Sequence, residues 1–138
     1  LGLPSVKRVQ IDTEKRALEF LSIMGLVEHK DRQAGTLPYG LQRRLEIARA
    51  LAASPKLLLL DEPAAGMNND ECNELIELLR GIYKTFNLTV VMIEHHIDIV
   101  MKLCSRIYVL NLGKVLAEGT PKQIQTDPQV IKAYLGEA

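Results

Sequence analysis

Residues 57–63 read LLLLDEP. Four consecutive leucines suit a buried strand, and Pro63 stops it. Between them stand two adjacent carboxylates, Asp61 and Glu62. In open α/β sheets, ligands gather beyond the carboxyl ends of the strands. An aspartate at such a position can hold Mg²⁺, directly or through water, and a neighbouring glutamate can polarise an attacking water. Taken alone, the stretch is equally consistent with two acids that merely cap a loop. The sequence on either side decides between these readings.

Downstream, PAAGMNN reads as a loop. Residues 70–84 predict a helix with Leu75, Ile76, Leu79, Ile82 and Tyr83 on one stripe. LTVVMI, 88–93, predicts a second buried strand, and Glu94 and His95 follow it as Asp61 and Glu62 follow the first. A short helix is expected over 96–103. RIYVLN (106–111) and KVLAEG (114–119) flank Leu112-Gly113, a hairpin signal. Thr120-Pro121 and Asp127-Pro128 each pair an N-cap residue with a proline at the first helical position.

Upstream, residues 41–53 predict an amphipathic helix through Leu41, Leu45, Ala48 and Leu51, closed by Ser54-Pro55. The polar stretch before it, with EHKDR at 28–32, reads as a solvated loop. Residues 13–24 place Ala17, Leu18, Leu21 and Met24 on one helical face, with Asp12 as N-cap and Gly25 as stop. Strands alternating with helices from residue 57 onward predict an α/β fold with a partly parallel sheet flanked by helices, preceded by a helical portion.

The totals set bounds. The chain has 138 residues, 47% of them hydrophobic and 25% charged, enough for a core of its own. Lys+Arg and Asp+Glu both number 17, a balance that speaks against a dedicated nucleic-acid binder. No apolar run is long enough to cross a membrane, and LGLPSVKRVQ lacks the apolar region of a signal peptide. Cys72 and Cys104 have no metal-type spacing and read as reduced packing thiols. His29 and His96 are expected to face solvent.

A second stretch carries the argument further. LPYGLQRRLEIARAL, 37–51, sets a glycine ahead of a helix whose first amides can meet an anion. With LLLLDEP, AAGMN (64–68) and IEHH (93–96) after it, the chain resembles the ATP-binding subunits of ABC transporters over nearly all its length. LPYGLQRRLEIARAL is similar to the signature stretch, LLLLDEP to Walker B, AAGMN to the D-loop and IEHH to the switch-histidine segment. LPYG, DEPAAGMN and the ending GTPKQIQTDPQVIKAYLGEA most resemble the branched-chain amino-acid import type, with ATPases of lipopolysaccharide export as close cousins.

The resemblance implies a P-loop NTPase-like fold, ATP and Mg²⁺ as cofactors, and the C-terminal half of the ATPase. Residues 1–36 are then part of the helical subdomain and 37–138 part of the core. It implies Asp61 at Mg²⁺, Glu62 as the water-activating base and His95 as γ-phosphate sensor. Leu37, Pro38, Tyr39, Gly40, Leu41 and Gln42 would act on a partner subunit's ATP, and Asn68 would couple the two sites. The implied partners are a second ATP-binding subunit and transmembrane permease subunits, on the cytoplasmic face of the cell membrane. DNA- or ribosome-directed members of the family fit less well, given the charge balance.

Departures are visible. Pro38 stands where the family has a serine that touches phosphate, Tyr39 where it has a glycine, Asn68 where it has an aspartate, and His96 where aspartate is commoner. The phosphate loop, G-x-x-x-x-G-K-[ST], is nowhere in these residues. GTLPYG at 35–40 has the glycine spacing but is followed by Leu41 and Gln42. The 138 residues are therefore expected to be inactive alone, or to be a non-catalytic binding or assembly piece. With strand edges and helix faces left bare, they are also expected to self-associate.

Overall fold

The computed structural model describes residues 4–135 as two compact units, one running to Ile93 and the other starting at Glu94. In the first, α1 (Pro4–Ile23) begins nine residues before the expected start, so Asp12 lies inside the helix and not at its cap. Proline is compatible with a first turn because that turn's N–H has no intrahelical partner. The C-terminal end follows expectation. Gly25, at φ +68°, donates to the Ser22 carbonyl at 3.0 Å, and Leu26 donates to the Leu21 carbonyl at 2.7 Å. These two bonds form a Schellman stop, sealed by the buried Leu26. Of the expected apolar face only Met24 is fully buried; Ala17 and Leu18 are exposed.

Two short 3₁₀ turns, Val27–His29 and Ala34–Thr36, lead to α2 (Tyr39–Ala52), which buries Ile47, Ala48 and Leu51. Arg16 of α1 donates to the Ala52 carbonyl at 3.3 Å and to Ser54 Oγ at 3.1 Å. A guanidinium is favoured there, at the negative end of α2. β1 (Leu57–Asp61), α3 (Asn69–Phe86) and β2 (Thr89–Ile93) complete the unit. α3 buries Leu75, Ile76, Leu79 and Ile82. Tyr83, expected on that stripe, is exposed near the end of α3, although it stands within about 20° of the buried Ile76 around the helix.

β1 and β2 pair in parallel, from Leu57 opposite Thr89 to Asp61 opposite Ile93. The expectation of two fully buried strands is corrected here. Leu58 is buried, but Leu57, Leu59, Val91 and Ile93 are 49%, 68%, 51% and 65% exposed. Alternation sends successive side chains to opposite faces, so the paired register gathers those four on one open face.

In the second unit, α4 (Ile97–Leu103) precedes an antiparallel hairpin of β3 (Ile107–Asn111) and β4 (Lys114–Gly119). Leu112 and Gly113 turn it with φ of 47° and 76°, the pair of left-handed residues that a two-residue hairpin needs. The register slips between Val109 and Leu110. α5 (Pro121–Thr126) carries a capping box between Thr120 and Gln123, and α6 (Pro128–Val130) is capped by Asp127, both at the expected prolines. A π-type turn, Ile131–Leu135, ends the described chain. Ile107, Ile124 and Val130 form the small core, with Cys104 and Ala117 against it. Among the described residues no helix is long and apolar enough to cross a membrane.

Candidate functional site

The carboxylates of LLLLDEP stand at the end of the parallel pair. Asp61 is the last residue of β1, opposite Ile93. Glu62 donates its N–H to the Ile93 carbonyl at 2.9 Å, which carries the ladder one residue further. Its backbone then turns left-handed at φ 44°, a conformation costing a side-chain-bearing residue about 1–2 kcal/mol. Pro63 and Ala64 are buried directly after it, and Ala65 N–H bonds back to the Glu62 carbonyl at 3.1 Å. The chain is pinned on both sides of the strained residue, while Asp61 and Glu62 are exposed. Beside them, Arg43, Glu46, Ile47 and Asp61 help line a shallow cleft of about 250 Å³. Small-molecule sites usually occupy about 300–1,000 Å³, so the described residues offer a platform at Asp61 and not an enclosed pocket.

The second candidate segment converges on the loop after β1. Leu37 is buried, and Gln42 Nε2 donates to its carbonyl at 2.7 Å. Pro38 is the N-cap of α2 and gives no side-chain hydrogen bond, leaving the helix to open on main-chain amides. The Tyr39 ring lies against Gly66, where an added Cβ would meet Cε1 at 3.5 Å. Tyr39 Oη accepts from Arg43 Nε at 2.9 Å, and the guanidinium lies 5.1 Å from the ring centroid. Hydrogen bonds to Glu46 and Tyr39 raise the Arg43 pKa above its ordinary value. At Gly40 an added Cβ would come within 3.4 Å of Glu71 Oε1.

Glu71 belongs to the capping box that starts α3. Asn68 Oδ1 accepts from the N–H groups of Asp70 and Glu71 at 3.0 Å each, and Glu71 Oε2 accepts from Asn68 N–H at 2.9 Å. Residues 37–42 and the loop 64–68, remote in sequence, therefore share one edge of the unit. The Asn68 amide oxygen is engaged as a helix cap. Glu71 and Gly66 were not singled out from the sequence, and Arg43 read there only as part of a basic helix face. The Asn-x-x-Glu spacing at 68–71 was the available signal for Glu71.

The third segment opens the second unit. The Glu94 side chain is wholly shielded, although the residue's backbone is partly open. Its Oε2 accepts from His96 Nδ1 at 3.2 Å, from His95 N–H at 3.2 Å and from His96 N–H at 3.3 Å. The two imidazole rings lie 4.4 Å apart, centroid to centroid. His95 is exposed, as a side chain that meets a ligand must be. The expectation that His96 faces solvent is corrected: it is half-buried and bonded to Glu94. His29 is corrected likewise, because its Nδ1 is buried and has no hydrogen-bond partner among the described residues.

Comparison with known proteins adds to this geometry. The family model described as ABC transporter matches residues 4–65, and that described as branched-chain amino acid ATP-binding cassette transporter matches residues 114–138. The chain is 51% identical, over all 138 of its residues, to the high-affinity branched-chain amino acid transport ATP-binding protein LivG of Escherichia coli K12, covering 54% of that protein. It is 47% identical over 135 residues to BraF of Pseudomonas aeruginosa, a protein of the same description, covering 98% of this chain and 53% of BraF. Among solved structures, an ATP-binding cassette of an ABC transporter in its ADP conformation superposes with a TM-score of 0.81 at 32% identity, over 91% of this chain and 51% of that one. The chain thus spans about half the length of the curated relatives it matches.

Proposed function

We propose, from the premise that this chain belongs to the ATP-binding proteins of ABC transporters, that it supplies the hydrolytic and partner-facing elements of an ATPase driving branched-chain amino-acid import. The observation that carries this reading is the end of β1. Asp61 and Glu62 stand exposed at the carboxyl edge of the parallel pair, with Glu62 held left-handed between fixed neighbours. Strain of this kind persists only where the surroundings over-determine it, and it concentrates at working sites.

In this reading Asp61 positions Mg²⁺. An exposed carboxylate suits an ion that takes one or two protein oxygens and fills its shell with water and phosphate. Mg²⁺ held there would supply positive charge to neutralise the phosphate oxygens. Glu62 takes a proton from the attacking water. His95 donates a hydrogen bond to the γ-phosphate. The main-chain amides at Tyr39 and Gly40, with Leu37, Pro38, Leu41 and Gln42 shaping the turn, meet the ATP of a second ATP-binding subunit at the positive end of α2. Proline can offer no hydroxyl or N–H at position 38, so this contact is made by backbone. Asn68, as the cap of α3 beside Gly66 and Tyr39, couples this edge to the Asp61–Glu62 edge. Residues 1–36 belong to the helical subdomain that meets the permease on the cytoplasmic face of the membrane. The choice of branched-chain amino acids rests on likeness to LivG and BraF and on the match at residues 114–138.

The test joins these residues to a phosphate-loop half and measures Mg-ATP turnover and ATP binding. Glu62→Gln is expected to keep ATP binding and to lower turnover by about 10²–10⁴-fold, the range of a lost general base. Turnover near the parent rate would remove Glu62 from the role. The 138 residues by themselves carry no G-x-x-x-x-G-K-[ST] and are expected to show no ATPase activity above background. Activity there that vanishes with Glu62→Gln would overturn the assignment of phosphate binding to another segment.

A further inference from the structure

We propose that Glu94, His95 and His96 form a binding site for a divalent transition-metal ion of the Zn²⁺ class. Each residue offers one ligand atom, and the three atoms lie within 4.8 Å of one another. One edge of the site is already at ligand spacing. Glu94 Oε2 and His96 Nδ1 are 3.2 Å apart, and two atoms bound to tetrahedral Zn²⁺ at about 2.0 Å are separated by about 3.3 Å. The ion takes the place of the proton between that oxygen and that nitrogen. The exposed His95 ring, 4.4 Å from the His96 ring between centroids, swings onto the same ion and gives it an entry path.

The carboxylate is preorganised. It is shielded from solvent, and the His95 and His96 N–H groups fix it, the outer-shell support that orients metal ligands. Two imidazoles and one carboxylate favour Zn²⁺, Co²⁺, Ni²⁺ or Cu²⁺ over Mg²⁺ and Ca²⁺, which prefer oxygen. A fourth position stays open to water. α4 starts at Ile97, and its positive end opposes a cation. The helix is only seven residues long, and the Glu94 charge lies closer to the ion. Three ligands from one short segment make an exchangeable site. An ion held on His95 would withdraw that ring from the γ-phosphate role proposed above. This consequence depends on the proposed function, whereas binding does not.

The experiment titrates the reduced 138-residue chain with Co²⁺ and follows visible ligand-field absorption, with Zn²⁺ as competitor. One Co²⁺ per chain, displaced by Zn²⁺, is expected. His95→Ala and His96→Ala should each weaken it by about tenfold or more, and His29→Ala and Cys104→Ser should leave it unchanged. His95 is exposed, so its variant keeps the fold and reads binding even if a Glu94 variant does not. Absence of the band, or a band that survives the double variant His95→Ala/His96→Ala, overturns the proposal.

Discussion

At the residue scale the left-handed positions discriminate most sharply. Glu62 and Gly66 both have positive φ, 44° and 74°, one with a side chain and one without. Glu62→Gly removes a strain of about 1–2 kcal/mol and adds a backbone-entropy cost of about 0.5–1 kcal/mol. Its stability is therefore expected to hold or to rise by up to about 1.5 kcal/mol, although the carboxylate proposed to activate water is gone. Gly66→Ala imposes the same strain and sets a methyl against the Tyr39 ring. It is expected to cost about 1–2 kcal/mol. Urea denaturation of both variants checks the pair, and a Glu62→Gly chain less stable than Gly66→Ala would refute the strain argument. Cys104 gives a pH prediction. Burial pushes its thiol pKa up, because the thiolate is disfavoured away from water. At pH 8 the thiolate fraction is smaller than in an open cysteine, so iodoacetamide should label Cys104 more slowly in the native than in the denatured chain. Equal rates would show the site to be open.

At the element scale, chain direction is set at short signals. The Schellman stop at Gly25, the Asn68–Glu71 box and the Thr120–Gln123 box each satisfy backbone groups that a helix end leaves unpaired. At the hairpin the residue opposes the turn. Leu112 is 95% exposed and left-handed at φ 47°, so it gains little from burial and bears the steric cost of its Cβ. Leu112→Asn is expected to stabilise the chain by about 0.5–1 kcal/mol, since asparagine tolerates this conformation and favours this turn. A melting temperature that falls in this variant would refute the turn argument.

At the scale of the whole molecule, the open face of β1 and β2 dominates. Parallel strands are ordinarily covered on both faces, and an exposed apolar patch of this kind marks an interaction surface or an association hazard. The described residues leave Leu57, Leu59, Val91 and Ile93 open, and the net charge of zero offers no long-range repulsion. The 138 residues are expected to self-associate at micromolar concentration. Leu59→Lys with Val91→Lys should shift sedimentation equilibrium toward monomer without changing the circular dichroism. A parent chain that is strictly monomeric would refute this.

The sequence by itself determined the order of the elements and the ends of most of them. Helix periods, Gly25, Asn68, Leu112-Gly113 and the two capped prolines act within a few residues, where local sterics and hydrogen bonding decide the outcome. It also determined that Asp61 and Glu62 stand at a strand end, because an apolar run followed by acids and proline has few other solutions. Only the tertiary structure decided which faces are covered. LLLLD and TVVMI are apolar on both sides, so no alternation in the sequence marks the open one; that depends on what α2 and α3 bury. Partnerships over distance were equally hidden. Tyr39 against Gly66 and Gly40 against Glu71 arise from chain segments that meet only after folding. Likewise His96, two residues from Glu94, reads as a surface histidine until the backbone turns and brings its ring onto a shielded carboxylate.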